Sequence, residues 1–362
     1  MAHPERFKCV QKTLRMNNID AVIVSNAANN YYLTGIIDNG NKNAFYTIIL
    51  KNGFRFVTSN FHLKQAQDKL PKRKIAVIDK KSGFGHTIAN ILKSSSKIGF
   101  ESENLTYAQF EIFKKLLKGK KLIALRDTVE LARQIKDNNE IKLIKKAAQI
   151  TDKTFSELLK IIKPGLSELL IKQKAIEIMN SLGATGTAFD PTIASGKNAA
   201  DPHYEGANKK IKKGEMIVID IGAQYKNYNA DMTRMVFIGK ATAKYKKMYQ
   251  IVTEAQEAAL IDCHTNNSPK NVFDNCVENF KRYGEQEYFT HSLGHGVGID
   301  IHELPNLSPA GQSDFQNGMV FTVEPGLYHI GWGGIRIEDL CVMANGECVA
   351  LSKASKNLIE II

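Results

Sequence analysis

Hydrophobic residues follow two alternating patterns over the first third of the chain. Short runs rich in β-branched residues predict strands, and segments whose apolar residues recur every three or four positions predict amphipathic helices. This order predicts an α/β domain with a largely buried sheet. The predicted strands are residues 20–25, 46–50, 55–58, 74–79 and 97–101, and the predicted helices are residues 4–16, 60–70, 85–92 and 106–117.

A charged segment at residues 126–140 separates this region from the rest of the chain, and we place a domain boundary near residue 130. Beyond it, the spacing predicts a long helix at residues 139–162 and a second helix that begins after Ser167 and ends before Gly183. The pattern then changes to strands, with two helices between them. The predicted strands are residues 216–222, 232–238, 320–324 and 335–343, and the predicted helices are residues 243–264 and 271–283.

The composition is that of a globular protein, since 43% of the 362 residues are hydrophobic and 24% are charged. No apolar stretch approaches the roughly 18 residues of a membrane span. The first fifteen residues carry charges throughout, unlike a secretory signal. The five cysteines are scattered and none forms a Cys-x-x-Cys pair, which argues against a disulfide framework and a thiolate zinc site. We therefore expect a cytoplasmic protein.

The net charge of +12 raises the question of an anionic partner. Forty of the 49 basic residues are lysine, whereas proteins that bind nucleic acids usually also use arginine and aromatic stacking surfaces. In the densest basic run, residues 113–121, Phe113, Leu116 and Leu117 form an apolar stripe at helical spacing. We interpret its lysines as a solvated face, and we expect no nucleic-acid or membrane partner.

Two acidic residues of the second region stand beside or inside apolar strands. Asp220 lies within the run 216–222, and Asp231 begins the next apolar run. A hairpin that turns around Lys226 and Asn227 would bring the two carboxylates together. Two buried carboxylates cannot both stay ionised without a cation between them. The pair therefore indicates a metal site or a shared proton.

Three histidines follow in the segment HSLGHGVGIDIHE, where His291, His295 and His302 stand among three glycines. The glycines predict a loop that brings the backbone close to a ligand. Glu324 then ends a predicted strand, and Glu338 lies inside another, two residues after Arg336 and on the same face.

These aspartates and glutamates, with one histidine, form a set rich in hard oxygen ligands, which suit Mn²⁺ or a similar divalent ion. Four carboxylates carry four negative charges, and two divalent cations neutralise them. The sequence therefore predicts a two-metal site with bridging carboxylates and ions roughly 3.5–4 Å apart. Such a pair supplies hydroxide near neutral pH, which is what a hydrolase requires.

The order of these motifs resembles that of the pita-bread metallopeptidases, in the branch that contains aminopeptidase P and prolidase. YLTG at residues 32–35 and KIGFE at residues 97–101 resemble signatures of the family's first domain. FDPTIASGKNAADPHY, HSLGHGVGIDIHE, TVEPG and IRIED then follow in the family's order. The resemblance implies a creatinase-like N-terminal α/β domain at residues 1–130 and an α+β pita-bread catalytic domain at residues 131–362.

The resemblance also implies roles for individual residues. Two divalent ions, Mn²⁺ or alternatively Co²⁺ or Zn²⁺, would be held by Asp220, Asp231, His295, Glu324 and Glu338. Glu324 would in addition move the proton during catalysis. The remaining residues implied to take part in catalysis or substrate binding are His203, His291, His302, Arg336 and Tyr228.

The implied activity is hydrolysis of Xaa-Pro bonds at peptide N-termini by a metal-bridging hydroxide, in a homodimer whose substrates have proline at the second position. In several prolidases we expect an arginine shortly after the His-Glu of this segment, but residues 302–307 read HELPNL, with Asn306. This departure favours an aminopeptidase, and the alternative is a dipeptidase that acts on Xaa-Pro alone. The complete carboxylate set argues against a non-catalytic binding module and against creatinase-like chemistry, and the full first domain argues against methionine aminopeptidase.

Overall fold

A computed structural model of the chain describes residues 4–37, 45–78, 81, 83–311 and 313–362. The chain divides after Arg133 into two compact units. None of the helices in these described ranges combines the length and hydropathy that crossing a membrane requires.

The first unit is built on one six-stranded mixed sheet in the order β4-β3-β2-β1-β5-β6. Its strands are β1 Ala21–Val24, β2 Phe45–Leu50, β3 Gly53–Thr58, β4 Ile75–Val77, β5 Lys97–Glu101 and β6 Lys121–Leu125. Its helices are α1 Pro4–Met16, α2 Ala27–Thr34, α3 Leu63–Lys69, α4 Gly83–Ile91, α5 Tyr107–Leu116 and α6 Glu130–Gln134, the last of which crosses into the second unit. The predicted α/β architecture is therefore present.

Two elements of this unit differ from the sequence prediction. Helix α2 was not predicted, because its buried face includes Asn29 and Asn30 instead of apolar residues. Strand β6, which comes at the end of the basic run, was not predicted either. Within that run, Phe113 and Leu117 are buried and the lysines lie mainly at the surface. The predicted strand 74–79 corresponds to β4, and its last residue lies outside the described residues.

The second unit combines four long helices with several small sheets, as an α+β fold. The helices are α7 Asn138–Leu158, α8 Glu168–Ser181, α9 Ala243–Asp262 and α10 Pro269–Lys281. The strands are β7 Gly186–Thr187, β8 Thr192–Ser195, β9 Met216–Ile221, β10 Ala223–Tyr225, β11 Tyr228–Asn229, β12 Met232–Ile238, β13 Gly294–Gly296, β14 Glu303–Leu307, β15 Val320–Val323, β16 Gly326–His329, β17 Gly333–Arg336, β18 Asp339–Ala344, β19 Glu347–Ala350 and β20 Ile359–Ile361.

Two of these sheets position the site. One has the order β20-β12-β9-β8, and the other β14-β13-β15-β18-β19. Successive residues of β9 point to opposite faces. Ile217, Ile219 and Ile221 pack into a core with α7 and α8, whereas Met216 and Val218 pack into a second core with α9. Asp220 shares the face of Met216 and Val218, at the end of that apolar row.

One buried ion pair joins these sheets. Arg234 of β12 donates from Nη2 to Asp339 Oδ1 of β18 over 2.6 Å, and both side chains are at most 2% exposed. We expect Arg234→Met to lower the free energy of unfolding by about 3–5 kcal/mol, because it leaves a buried carboxylate with less compensation. Urea unfolding of the chelated protein measures this. The double variant Arg234→Met/Asp339→Leu should recover only part of the loss, because the carbonyls of Glu338 and Ala354 still lack the hydrogen bonds from Arg234 and Lys356 loses its ion-pair partner. A double variant no more stable than the single one would contradict the explanation.

Candidate metal centre

Most of the candidate site residues predicted from the sequence line a cavity of about 530 Å³ in the second unit. Nine of those ten line it: His203, Asp220, Asp231, His291, His295, His302, Glu324, Arg336 and Glu338. The tenth, Tyr228, is not among the lining residues. Its hydroxyl donates instead to Glu140 Oε1 of α7 over 2.9 Å, in a buried contact.

The first two carboxylates come from the predicted hairpin. Strands β9 and β12 pair antiparallel, with Asp220 opposite Thr233, and Asp231 immediately precedes β12. The chain turns at Lys226 and Asn227, whose φ angles are +50° and +66°. Asp220 Oδ2 accepts a hydrogen bond from Arg336 Nη2 over 2.6 Å. Asp220 Oδ1 is buried without a hydrogen-bond partner among the described residues.

The imidazole of His295 comes from a three-residue strand, so the predicted loop is interrupted there, whereas residues 291–293 and 297–302 lie outside strands. His295 lies in β13, which is paired with β14 on one side and β15 on the other. A Cβ at Gly294 would collide with the carbonyl of Thr322, and one at Gly296 would collide with the carbonyl of Leu304. The glycines therefore allow three strands to pack closely around the histidine.

The two glutamates lie at bends between sheets. Glu324 follows β15 and precedes β16, and Glu338 lies between β17 and β18. The predicted continuous strand 335–343 is thus interrupted at Glu338, because β17 pairs with β16 while β18 pairs with β15. Thr322 Oγ1 donates to Glu324 Oε1 over 2.9 Å, and Thr233 Oγ1 donates to Glu338 Oε2 over 2.7 Å. Each carboxylate is therefore held in a fixed orientation.

These side chains converge closely enough to share metal ions. One ligand atom from each of Asp231, His295 and Glu338 lies within 4.8 Å of the others. The Nε2 atom of His295 is 3.3 Å from Glu324 Oε1 and 3.6 Å from Asp231 Oδ2.

The cluster is electrostatically unfavourable without a cation. Burial, reinforced by the neighbouring carboxylates, raises the pKa of Asp231 and of Glu338 well above the ordinary values. Burial also raises the pKa of Glu324, and it lowers the pKa of His295, which favours the neutral imidazole that binds metals. Arg336 is the only lysine or arginine among the lining residues. Divalent ions fit this donor set, because it offers buried oxygens, including the unpartnered Asp220 Oδ1, and one imidazole.

His291 is held by two contacts that define its tautomer. Its Nδ1 lies 2.7 Å from the carbonyl of Ser292, and its Nε2 lies 2.9 Å from the hydroxyl of Tyr328. A carbonyl only accepts, so Nδ1 carries the proton and Nε2 accepts from Tyr328. Arg336 Nη1 donates in turn to the Tyr328 oxygen over 2.7 Å.

The other two histidines are at the open side of the cavity. His302 is exposed, with its ring centroid 4.2 Å from that of His295. His203 is exposed on the segment after β8, where its backbone N–H donates to Asp201 Oδ1. Both are placed where a bound molecule would meet them.

Three residues of the network were missed by the sequence analysis. Thr233, Thr322 and Tyr328 orient the two glutamates and His291. Threonine in a strand and tyrosine in a hairpin are common, so no local pattern distinguishes them from packing residues.

Comparison with known proteins identifies the family to which this arrangement belongs. Residues 142–345 match metallopeptidase family M24, and residues 6–135 match the creatinase/prolidase N-terminal domain. The chain belongs to metallopeptidase family M24. It is a hydrolase, and the predicted family resemblance and fold class are confirmed.

Individual relatives align with nearly the whole length of this chain. An Xaa-Pro dipeptidase from Pyrococcus furiosus is 34% identical, with 98% of this chain and 99% of the relative covered. The structure of an Xaa-Pro dipeptidase from Bacillus anthracis superposes with a TM-score of 0.93 at 31% identity, covering 99% of both chains. An X-Pro aminopeptidase from Thermotoga maritima superposes with a TM-score of 0.84 at 31% identity, covering 97% of this chain and 100% of that one.

Proposed function

We propose that this M24 metallopeptidase is an Xaa-Pro aminopeptidase, which removes the first residue of peptides with proline at the second position. The observation that carries the proposal is the convergence of four carboxylates and one imidazole from separate segments on one cavity. The names of the relatives support proline peptides as substrates. The nitrogen of an Xaa-Pro bond carries no N–H, so cleavage must not depend on a donor from that atom.

Two divalent ions would be held by the five ligands Asp220, Asp231, His295, Glu324 and Glu338. When bound, such a pair polarises a carbonyl and lowers the pKa of a water molecule. We assign residues 131–362 as the catalytic domain and residues 1–130 as the creatinase-like domain.

The protein side chains would position the substrate and move the proton. Glu324 would accept a proton at its carboxylate and return it to the prolyl nitrogen as the bond breaks, in an orientation that Thr322 fixes. His302 and His203 would hold the peptide at the open side, and His302 would donate to the developing oxyanion. His291 would join them when its contact with Tyr328 is exchanged for one to the substrate.

The cavity offers little to bind the free carboxylate of a dipeptide. Arg336 uses Nη2 on Asp220, Nη1 on Tyr328 and Nε on Thr233. The lining residues described contain no other lysine or arginine. Asn306 is exposed and lies opposite His295 in the pairing of β13 with β14. It therefore shares the face of the sheet from which His295 enters the cavity.

A strict dipeptidase is the second candidate, and the name of the P. furiosus relative favours it. The two functions make opposite predictions for substrate length. We expect kcat/KM for Xaa-Pro-Yaa-Yaa to exceed that for Xaa-Pro by about tenfold or more, or about 1.4 kcal/mol, since the free carboxylate of the dipeptide would lose water without gaining a lysine or arginine partner among the lining residues described. Measuring release of the first residue from matched peptides tests this. Preference for the dipeptide would favour the second candidate.

A variant at position 306 provides a second test of the preference between the dipeptide and the tetrapeptide. We expect Asn306→Arg to raise kcat/KM for Xaa-Pro by roughly fivefold while leaving the tetrapeptide nearly unchanged, because a partly exposed ion pair contributes up to about 1 kcal/mol. Asn306→Gln, which adds length without charge, is the matched control. An equal effect of both variants on both peptides would contradict the assignment of Asn306 to the substrate side.

The remaining assignments are extensions of this proposal. Mn²⁺ is the ion we propose, since the ligands are mainly hard oxygens, and Co²⁺ or Zn²⁺ would also bind. The five free cysteines support a reducing, cytoplasmic environment. We propose a homodimer on the family resemblance.

A further inference from the structure

Three of the five cysteines meet in the second unit, outside the cavity of the metal centre. Cys263 directly follows α9, Cys341 lies in β18 and Cys348 lies in β19. All three are free thiols, and none is among the residues that line the metal cavity. The proposed peptidase mechanism uses none of them.

The strand pairing places two of these cysteines opposite each other. His264 forms an antiparallel bridge with Glu347, and Thr265 N–H donates to the carbonyl of Gly346 over 3.0 Å. One step further along the same register, Cys263 faces Cys348. Directly opposed residues of antiparallel strands have Cα atoms roughly 4.5–5.5 Å apart, within the range of about 4.4–6.8 Å that a disulfide requires.

The third cysteine has a different position. Cys341 pairs with Ala350, and Cys348 pairs with Met343. Cys341 and Cys348 are therefore diagonal neighbours on one face, a separation of roughly 7–8 Å between their Cα atoms. That separation is too large for a disulfide without backbone movement, and the Cys341 thiol donates to the carbonyl of Asp339 over 3.6 Å.

Cys348 has the properties of a reactive thiol. The neighbouring thiols of Cys263 and Cys341 lower the pKa of Cys348 from 9.0 to about 5, against the opposing effect of burial. The thiolate is the nucleophilic form of cysteine. The same contacts and burial raise the pKa of Cys263 and of Cys341, so a single member of the cluster is ionised.

The cluster is also accessible from one side. Cys263 and Cys348 line a cavity of about 700 Å³ together with His264, Thr265 and Gly346. Cys348 is partly exposed, whereas Cys341 is fully buried. A small oxidant therefore reaches Cys348 first.

We propose that Cys348 is the peroxide-reactive thiol of a reversible oxidation site, with Cys263 as its resolving partner. The Cys348 thiolate attacks one oxygen of a small hydroperoxide. An S–O bond forms, the O–O bond breaks, and the leaving oxygen takes a proton to become water or an alcohol. The sulfur is oxidised by two electrons to a sulfenic acid, and the peroxide is reduced.

The Cys263 thiol then attacks the sulfur of this sulfenic acid. The S–S bond forms, the S–O bond breaks, and the hydroxide leaves with the thiol proton as water. A thiol reductant restores both cysteines by exchange. The disulfide would join the end of α9 to β19.

The test uses the full-length, metal-loaded protein with Cys9→Ser, which removes the exposed cysteine of the first unit. After treatment with hydrogen peroxide and blocking of free thiols, peptide mass mapping should find Cys263 linked to Cys348, with the loss of two hydrogens and full reversal by dithiothreitol. Cys341→Ser should retain this link. A link between Cys341 and Cys348 instead, or no link and no oxidation at Cys348, would overturn the proposal.

Two single variants separate the two steps. In Cys263→Ser, the sulfenic acid should persist at Cys348 and be trapped by dimedone, whereas Cys348→Ser should give neither the adduct nor the link. The pH profile of alkylation at Cys348 should have a midpoint near 5, and Cys263→Ala/Cys341→Ala, which removes both neighbouring thiols without supplying a hydroxyl donor, should move it upward by about one pH unit or more. An unchanged midpoint, or equal trapping in the presence and absence of Cys263, would contradict the assigned roles.

Discussion

Replacing Glu338 with alanine is expected to lower kcat/KM by roughly 10³-fold, which corresponds to about 4 kcal/mol of lost transition-state stabilisation. Glu338 is buried next to Asp231 and His295, with ligand atoms of all three within 4.8 Å. Without this carboxylate, the site keeps too little negative charge to hold two cations. Metal content should therefore fall together with activity, and plasma emission spectrometry and a tetrapeptide assay measure both.

The control for this variant is Glu257→Ala, the same substitution at an exposed position of α9. It should leave metal content and kcat/KM within about twofold of the original protein. The unfolding midpoint of chelated Glu338→Ala should remain close to that of the chelated original, because the variant also removes repulsion among the carboxylates. Normal turnover of Glu338→Ala at full metal occupancy would contradict the assignment.

Replacing Glu324 with glutamine is expected to lower kcat by about 10²–10⁴-fold, the range found when a general acid–base group is removed. The amide keeps the shape of the side chain and can still accept the hydrogen bond from Thr322, but it cannot carry the proton to the prolyl nitrogen. Activity is measured at saturating Mn²⁺, with metal content determined on the same samples. The loss should appear in kcat more than in KM, because the proton moves only during bond cleavage.

Two further variants test whether the loss of kcat in Glu324→Gln comes from the missing proton transfer. Glu257→Gln applies the same chemical change at the surface and should have no effect. Thr322→Val removes the hydrogen bond to Glu324 Oε1 and should lower kcat by only about 10–100-fold, since the carboxylate remains but is less well oriented. If Glu324→Gln retained normal kcat with both ions bound, another group would have to move the proton.

The parts of the site that could be predicted from the sequence are those that break a local pattern. Asp220 interrupts an apolar strand, and burial of a carboxylate there requires a cation or a shared proton. The closeness of Asp220 and Asp231 was predicted from a hairpin that turns at Lys226 and Asn227, and the structure confirms this turn. Helix α8 was predictable for a similar reason, because Ser167 caps it by accepting a hydrogen bond from Leu170 N–H.

The features that could not be predicted are those that depend on tertiary packing. The strand around His295 is too short and too rich in glycine to show a period of two, and it exists because β14 and β15 flank it. The interruption at Glu338 is hidden, since β17 and β18 are both buried and read as one apolar run. Tyr328 reaches His291 only through the β16–β17 hairpin.

If divalent cations make this cluster of buried carboxylates tolerable, the protein must bind them in a fixed stoichiometry. The chelated protein should be titrated with Mn²⁺ by isothermal calorimetry, followed by elemental analysis after gel filtration. We expect about two ions per chain, with loss of binding in Glu338→Ala and retention in Glu257→Ala. No more than trace occupancy with Mn²⁺, Co²⁺ or Zn²⁺ would contradict it.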